Sequence, residues 1–145
     1  MSSITITECT DFSGVNKMLR DLYWDMVVDQ TEGMVMQLQP TKAVHVFKAT
    51  GDGKTGFMFT VGTDAHALFP VGTHGKWALD AARGAIALGK EKYGVSLLTS
   101  GHLSCFRPAG VFLIALGFKR ENVFNTGKTK DREPVSYITY SMEIK

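Results

Sequence analysis

The chain has 145 residues, 44% hydrophobic and 21% charged, proportions that fit one folded domain over residues 1–145 and exclude a disordered tail or a fibrous repeat. Sixteen basic and fourteen acidic side chains leave a net charge of +2, too little to draw a nucleic acid or a membrane surface by charge alone. Two cysteines, Cys9 and Cys105, make neither a disulfide framework nor a cysteine zinc site. No apolar run reaches the roughly 18–20 residues that span a bilayer, and Met1 to Thr5 show no basic stretch leading into an apolar one. A cytoplasmic protein with no metal, no nucleic-acid partner and no membrane partner is expected.

In chain order, Ile4 and Ile6 alternate with Thr5 and Thr7, a short strand with one buried face. Thr10, Asp11 and Ser13 are capping residues. Beyond them Val15, Met18, Leu19, Leu22 and Met26 fall on one stripe of a helix. The adjacent Tyr23 and Trp24 cannot both face a core. Residues 30–40 fit a short helix or an irregular cover, which Pro40 ends. Between Lys42 and Val61, two apolar runs flank Gly51-Asp52-Gly53 and predict a hairpin. Gly53-Lys54-Thr55 matches the tail of a phosphate-binding P-loop. That motif needs a glycine where Lys48 stands and a helix where an aromatic-rich strand follows, so the hairpin reading is preferred.

A strand is expected over Ala65–Val71, then a glycine-bearing loop from Gly72 to Gly75, then an alanine-rich helix from Lys76 to Lys92 closed by Gly94. Small side chains would let that helix lie close to a sheet. Val95, Leu97 and Leu98 predict a buried strand and Gly101–Arg107 a loop. Pro108 suits the first turn of a helix running to Leu116, with Gly117 ending it. Phe118 opens a strand or turn, and residues 125–134 read as polar and exposed. Ile138, Tyr140, Met142 and Ile144 alternate with polar neighbours, a closing strand. The class is mixed α/β.

The strand, glycine loop and helix from His66 to Lys92 form the segment best suited to chemistry. Free N–H groups and the positive dipole end at a helix start favour an anion. Gly72 and Gly75 allow close approach, and His74 and Lys76 add charge. A loop that merely turns the chain would also use glycine. His74-Gly75-Lys76-Trp77-Ala78 and Asp80-Ala81-Ala82-Arg83, followed by Arg107-Pro108-Ala109 and Ala115-Leu116-Gly117-Phe118, resemble the GNAT superfamily of N-acyltransferases. The resemblance is in particular to the small members common in bacteriophage genomes. The resemblance is clearest from His66 to Glu121.

It implies a central, mostly antiparallel mixed sheet flanked by helices. Acetyl-CoA would lie beside the strand His66–Val71. Its cofactor-binding residues would be Phe69, Val71, Thr73, His74, Gly75, Lys76 and Trp77, with the diphosphate on the amides from Thr73 to Lys76. The reaction implied is acetyl transfer to an amine, which needs a neutral amine, a polarised thioester carbonyl and a proton donor for the thiolate. Two positions depart from the family pattern. Phe106 stands where many members have asparagine, and Leu113, four residues before Gly117, stands where many place the tyrosine acid.

No catalytic residue is assigned from the sequence, and each substitute has a plainer reading beside it. His66 suits a base near neutrality, but no orienting partner is visible and a structural histidine is the simpler account. Tyr137 and Tyr140 suit an acid or mere strand packing. His102 with Cys105 is too sparse for zinc, and an inert thiol is the default for Cys105. Lys119, Arg120, Lys128, Lys130 and Arg132 are interleaved with Glu121, Asp131 and Glu133, a solvated mixed-charge region. Two functions follow. One is an acetyl-CoA-dependent N-acyltransferase using a coenzyme A thioester and a small amine or peptide. The other is a non-catalytic phage virion or assembly protein that binds other phage proteins, in the host cytoplasm or the virion. Seven methionines suit contact surfaces or ordinary core filling.

Overall fold

A computed structural model describes residues 3–23, 38–70, 72–73, 75–104, 107–128 and 134–145. The elements are β1 (Thr5–Cys9), α1 (Ser13–Tyr23), β2 (Val44–Gly51), β3 (Lys54–Val61), β4 (Asp64–Leu68), α2 (Lys76–Tyr93), β5 (Leu97–Leu103), α3 (Arg107–Leu116), β6 (Lys119–Lys128) and β7 (Pro134–Glu143). Their order is the one read from the sequence. Residues 24–37, with Trp24 and Met26, lie outside the described residues, as do Val71, His74, Cys105, Phe106, Lys130 and Arg132.

One seven-stranded sheet has the order β1-β2-β3-β4-β5-β7-β6. All neighbours are antiparallel except β4 and β5. Gly51 pairs with Lys54 across a two-residue turn in which Asp52 (φ 53°) and Gly53 (φ 73°) are both left-handed. That is the turn whose twist matches a hairpin, and the Asp-Gly pair supplies it. The phosphate-loop likeness of Gly53-Lys54-Thr55 is therefore a product of turn chemistry.

Adjacent residues of a strand face opposite sides, and the core divides accordingly. On one face Val15 and Leu19 of α1 pack on Val46, Phe57, Phe59 and Leu68. On the other, Trp77, Ala81 and Ala85 of α2 pack on Phe47, Ala49 and Met58. Farther along the same face, Leu113 of α3 packs with Leu98, Phe118 and Tyr140. Val15, Leu19, Val46 and Phe59 are fully enclosed, each worth roughly 1.5–3 kcal/mol of transfer free energy. The small residues of α2 let it approach the sheet as expected: a Cβ on Gly84 would sit 2.9 Å from Ile6. Gly94, left-handed at φ 65°, caps α2 through its N–H to the Lys90 carbonyl. Asn16, buried in α1, donates to the Leu38 carbonyl at 3.1 Å and accepts the Leu38 N–H at 2.8 Å, so both backbone groups of Leu38 are satisfied.

Several boundaries differ from the sequence reading. β4 ends at Leu68, short of Val71, because Pro70 has no N–H for a ladder and its carbonyl instead closes a turn with Thr73 N–H at 3.0 Å. β5 continues to Leu103 where a loop from Gly101 was expected. Its partner β7 pairs Gly101 with Thr139, His102 with Ile138 and Leu103 with Tyr137, and the missing side chain of Gly101 accommodates Tyr137, which a Cβ would meet at 2.5 Å. β6 runs to Lys128 through two register shifts; its polar composition reflects an edge strand, where charge and bulges deter further pairing. Ile138, Tyr140, Met142 and Ile144 share the face that carries α3, as their alternation predicted.

Candidate functional site

β4 and β5 are joined at one end and part at the other. Their ladder holds a single register pair, Asp64 with Thr99. Around it, Thr99 N–H donates to the Thr63 carbonyl at 2.8 Å and Ser100 Oγ to the Ala65 carbonyl at 2.6 Å. Beyond Ala65 the strands diverge. Thr63 and Ala65 direct their carbonyls at β5, so the two-residue strand period directs the Ala67 N–H and C=O into the opening. A cavity of about 710 Å³ occupies it, lined by Ala65 and Ala67 from β4, Ile86 from α2, Ser100 from β5, and Phe112 and Leu113 from α3.

The glycine loop lies between β4 and α2. Gly72 (φ 87°) and Gly75 (φ 68°) are left-handed, and a Cβ on either would enter open space. Gly75 is the N-cap of α2 and makes no side-chain cap, and no acid stands in the first turn. Leu79 N–H is the first to reach back to the Gly75 carbonyl, at 3.3 Å. The N–H groups of the first turn have no acceptor within the helix by construction, which makes this end receptive to an anion.

Two pairs of proton-carrying side chains flank the opening on opposite faces of the sheet. On the α1 face, Asp64 Oδ2 lies 2.6 Å from His66 Nε2, and the imidazole, 17% exposed, rests against Phe59. On the α3 face, His102 Nε2 lies 3.0 Å from the Tyr140 hydroxyl, with the two rings stacked.

No protein-family model and no curated protein matches this sequence. Among solved structures, a GNAT-family acetyltransferase from Streptococcus pneumoniae superposes with a TM-score of 0.73 at 13% identity, covering 98% of this chain and 100% of that one. The ribosomal-protein-S18-alanine N-acetyltransferase of Escherichia coli gives 0.68 at 16%, covering 99% and 94%. The microcin C7 self-immunity acetyltransferase MccE, in complex with acetyl-CoA and AMP, gives 0.58 at 12%, covering 71% of this chain and 62% of that one. The fold is that of the GNAT acetyltransferases.

Within this GNAT fold the residues singled out in the sequence fall in different places. Phe69 lines the cavity and meets Trp77 and Phe112 edge-on. The Trp77 indole is turned into the core and donates to the Gly51 carbonyl at 3.2 Å, so only its backbone is available at the helix start. Lys76 is exposed, but its ammonium is drawn along α2 to Asp80 at 2.6 Å. Thr73 has already committed its N–H to Pro70. Leu113 is buried and supplies no proton. Tyr137 and Tyr140 face opposite sides, Tyr137 over Gly101 and Tyr140 beneath α3. Among the described residues no group of three or more histidine, cysteine or acidic side chains is placed to hold a metal, and no helix is long and apolar enough to cross a membrane.

The sequence reading missed Asp64 as the partner of His66. The signal was present, since residues two apart on a strand share a face, but the strand was begun one residue too late. It also missed the cluster at the far end of the cavity, where Tyr93 stacks on His45 with centroids 3.9 Å apart. Glu8 accepts from Lys92 Nζ at 2.7 Å and from the Tyr93 hydroxyl. Burial alone would raise the Glu8 carboxyl, but the hydrogen bonds from Lys92 and Tyr93, with nearby positive charge, hold it below the ordinary glutamate value of 4.5. A depressed acid stabilises the fold above its unfolded pKa, and that contribution disappears as pH falls through the folded pKa. Acid titrations of unfolding should therefore show Glu8→Gln losing less stability than the wild type below about pH 4.5, the wild type's advantage being confined to higher pH. Parallel acid limbs would contradict this.

Proposed function

We propose that the chain is an acetyl-CoA-dependent N-acyltransferase acting on a small amine or peptide, with residues 1–145 as its single domain. The reading rests chiefly on the parting of β4 from β5, which leaves strand backbone at Ala67 facing a cavity, and is supported by the uncapped start of α2 with its positive-φ glycines. The residues present fit the coenzyme: a Cβ at Gly72 or Gly75 would fill open space where a diphosphate would lie. The amides of Gly75, Lys76 and Trp77 would hold the diphosphate, with His74 beside them and the Thr73 hydroxyl in place of its committed N–H. Val71 and Phe69 would border the pantetheine arm. Acetyl-CoA supplies an acyl group activated as a thioester. Ala67 N–H would polarise its carbonyl, and His66, held by Asp64, would accept the proton that the amine loses.

The E. coli neighbour is a ribosomal-protein-S18-alanine N-acetyltransferase, which supports an amine of peptide type. Thermal denaturation with acetyl-CoA tests the reading. Binding restricted to the folded state should stabilise it by about 2.7 kcal/mol at a hundredfold excess over Kd, and no rise in Tm at millimolar coenzyme would sink it.

A second reading keeps the shape without the chemistry: a phage virion or assembly protein, in the host cytoplasm or the virion, that binds other phage proteins. The buried, apolar Leu113 favours it, because that position carries no acid. Under this reading acetyl-CoA would leave the Tm unchanged, or would bind without any acyl transfer.

A further inference from the structure

Departure of a thiolate from a thioester needs a proton on sulfur, and among the described residues several side chains that line the cavity could carry one. His45 and Tyr93 are stacked together at the far end. The Ser100 hydroxyl donates to Ala65. His66 also lines the cavity, but from the α1 face, where it meets Asp64 at 2.6 Å. Tyr137 also lines the cavity but lies over Gly101 on the face away from α3. His102 lines it on the α3 side, and its Nε2 is 3.0 Å from the Tyr140 hydroxyl. Tyr140 is itself buried beneath α3 in the same cluster as Leu113. The helix makes room for the pair through Gly110, where a Cβ would stand 2.8 Å from His102 Nε2 and 2.9 Å from the Tyr140 oxygen. Any side chain there would force the two rings apart or push them from the helix.

Resting on the acyltransferase reading, we propose that His102 is the proton donor to the coenzyme sulfur and that Tyr140 is the residue that positions its ring. The amine nitrogen forms a bond to the thioester carbonyl carbon, and the carbon–sulfur bond breaks. Sulfur leaves with that electron pair and takes the proton of the His102–Tyr140 pair, while the proton lost by nitrogen passes to His66. Amine and thioester become amide and thiol, and exchange with water restores both histidines. The acid has thus moved from the helix to the sheet beneath it.

The test compares calorimetric affinities for coenzyme A and for desulfo-coenzyme A, which lacks only the sulfur. The wild type should bind coenzyme A about tenfold more tightly, the equivalent of roughly 1.4 kcal/mol. His102→Asn should erase that difference, and Tyr140→Phe should narrow it, with desulfo-coenzyme A affinity unchanged in both. That unchanged affinity also reports that the variants are folded. A purely structural role would weaken both ligands equally and overturn the proposal, as would a sulfur-dependent gap that survives in His102→Asn or is missing from the wild type. Failure of either ligand to bind the wild type would instead remove the coenzyme reading on which the proposal rests.

Discussion

Replacing Gly75 with tryptophan is expected to abolish the rise in Tm caused by acetyl-CoA. Two effects combine. The residue sits at φ 68° as the N-cap of α2 with open space where a Cβ would project, so an indole would occupy the volume assigned to the diphosphate. A non-glycine residue at positive φ also costs about 1–2 kcal/mol, which would tilt the first-turn amides out of line. Strain alone must be separated from obstruction. Gly94, at φ 65° with equally open surroundings at the other end of the same helix, provides the control. Gly94 is in the αL region at ψ 30° while Gly75 is outside it at ψ −140°, so Gly94→Trp should lower the Tm of the free protein by a smaller amount yet respond fully to acetyl-CoA. If Gly75→Trp titrates like the wild type, the anion site is not at this loop.

Removing the imidazole of His66 is expected to lower kcat for acetyl transfer by about 10²–10⁴-fold, the span of a general base. KM for acetyl-CoA should change little, because His66 projects from the α1 face of β4, whereas the coenzyme is proposed to bind along the β4 edge and at the start of α2. Asp64→Asn keeps the shape of the pair and deletes the charge facing Nε2 at 2.6 Å; a smaller loss, of about tenfold or more, should follow. Thiol release from acetyl-CoA, measured with a short peptide bearing a free amino terminus, reads both. A His66→Ala enzyme with wild-type kcat would return the histidine to a structural role.

Much of this molecule could be read without coordinates, and the parts that could share a cause. The hairpin at Asp52-Gly53, the α1 stripe through Val15 and Leu19, the alanine face of α2 with its Gly94 cap, and the alternation from Ile138 to Ile144 all depend on neighbours within a few residues. The ends of β4 and β5 were misjudged because a ladder needs a partner. Gly101 reads as a loop residue locally, but β7 pairs with it and Tyr137 covers it.

What the sequence determined by itself is the set of elements, their order, and the glycines at the start of α2, because turn geometry and the period of apolar residues are local properties. The tertiary structure alone decided that β4 and β5 separate after one register pair, that His102 meets Tyr140 across 38 positions of chain, and that Lys76 is taken up by Asp80 while Trp77 turns into the core. These are settled by strand register and helix placement. Both are fixed only when distant segments pack, once the entropy of closing the chain between them has been overcome.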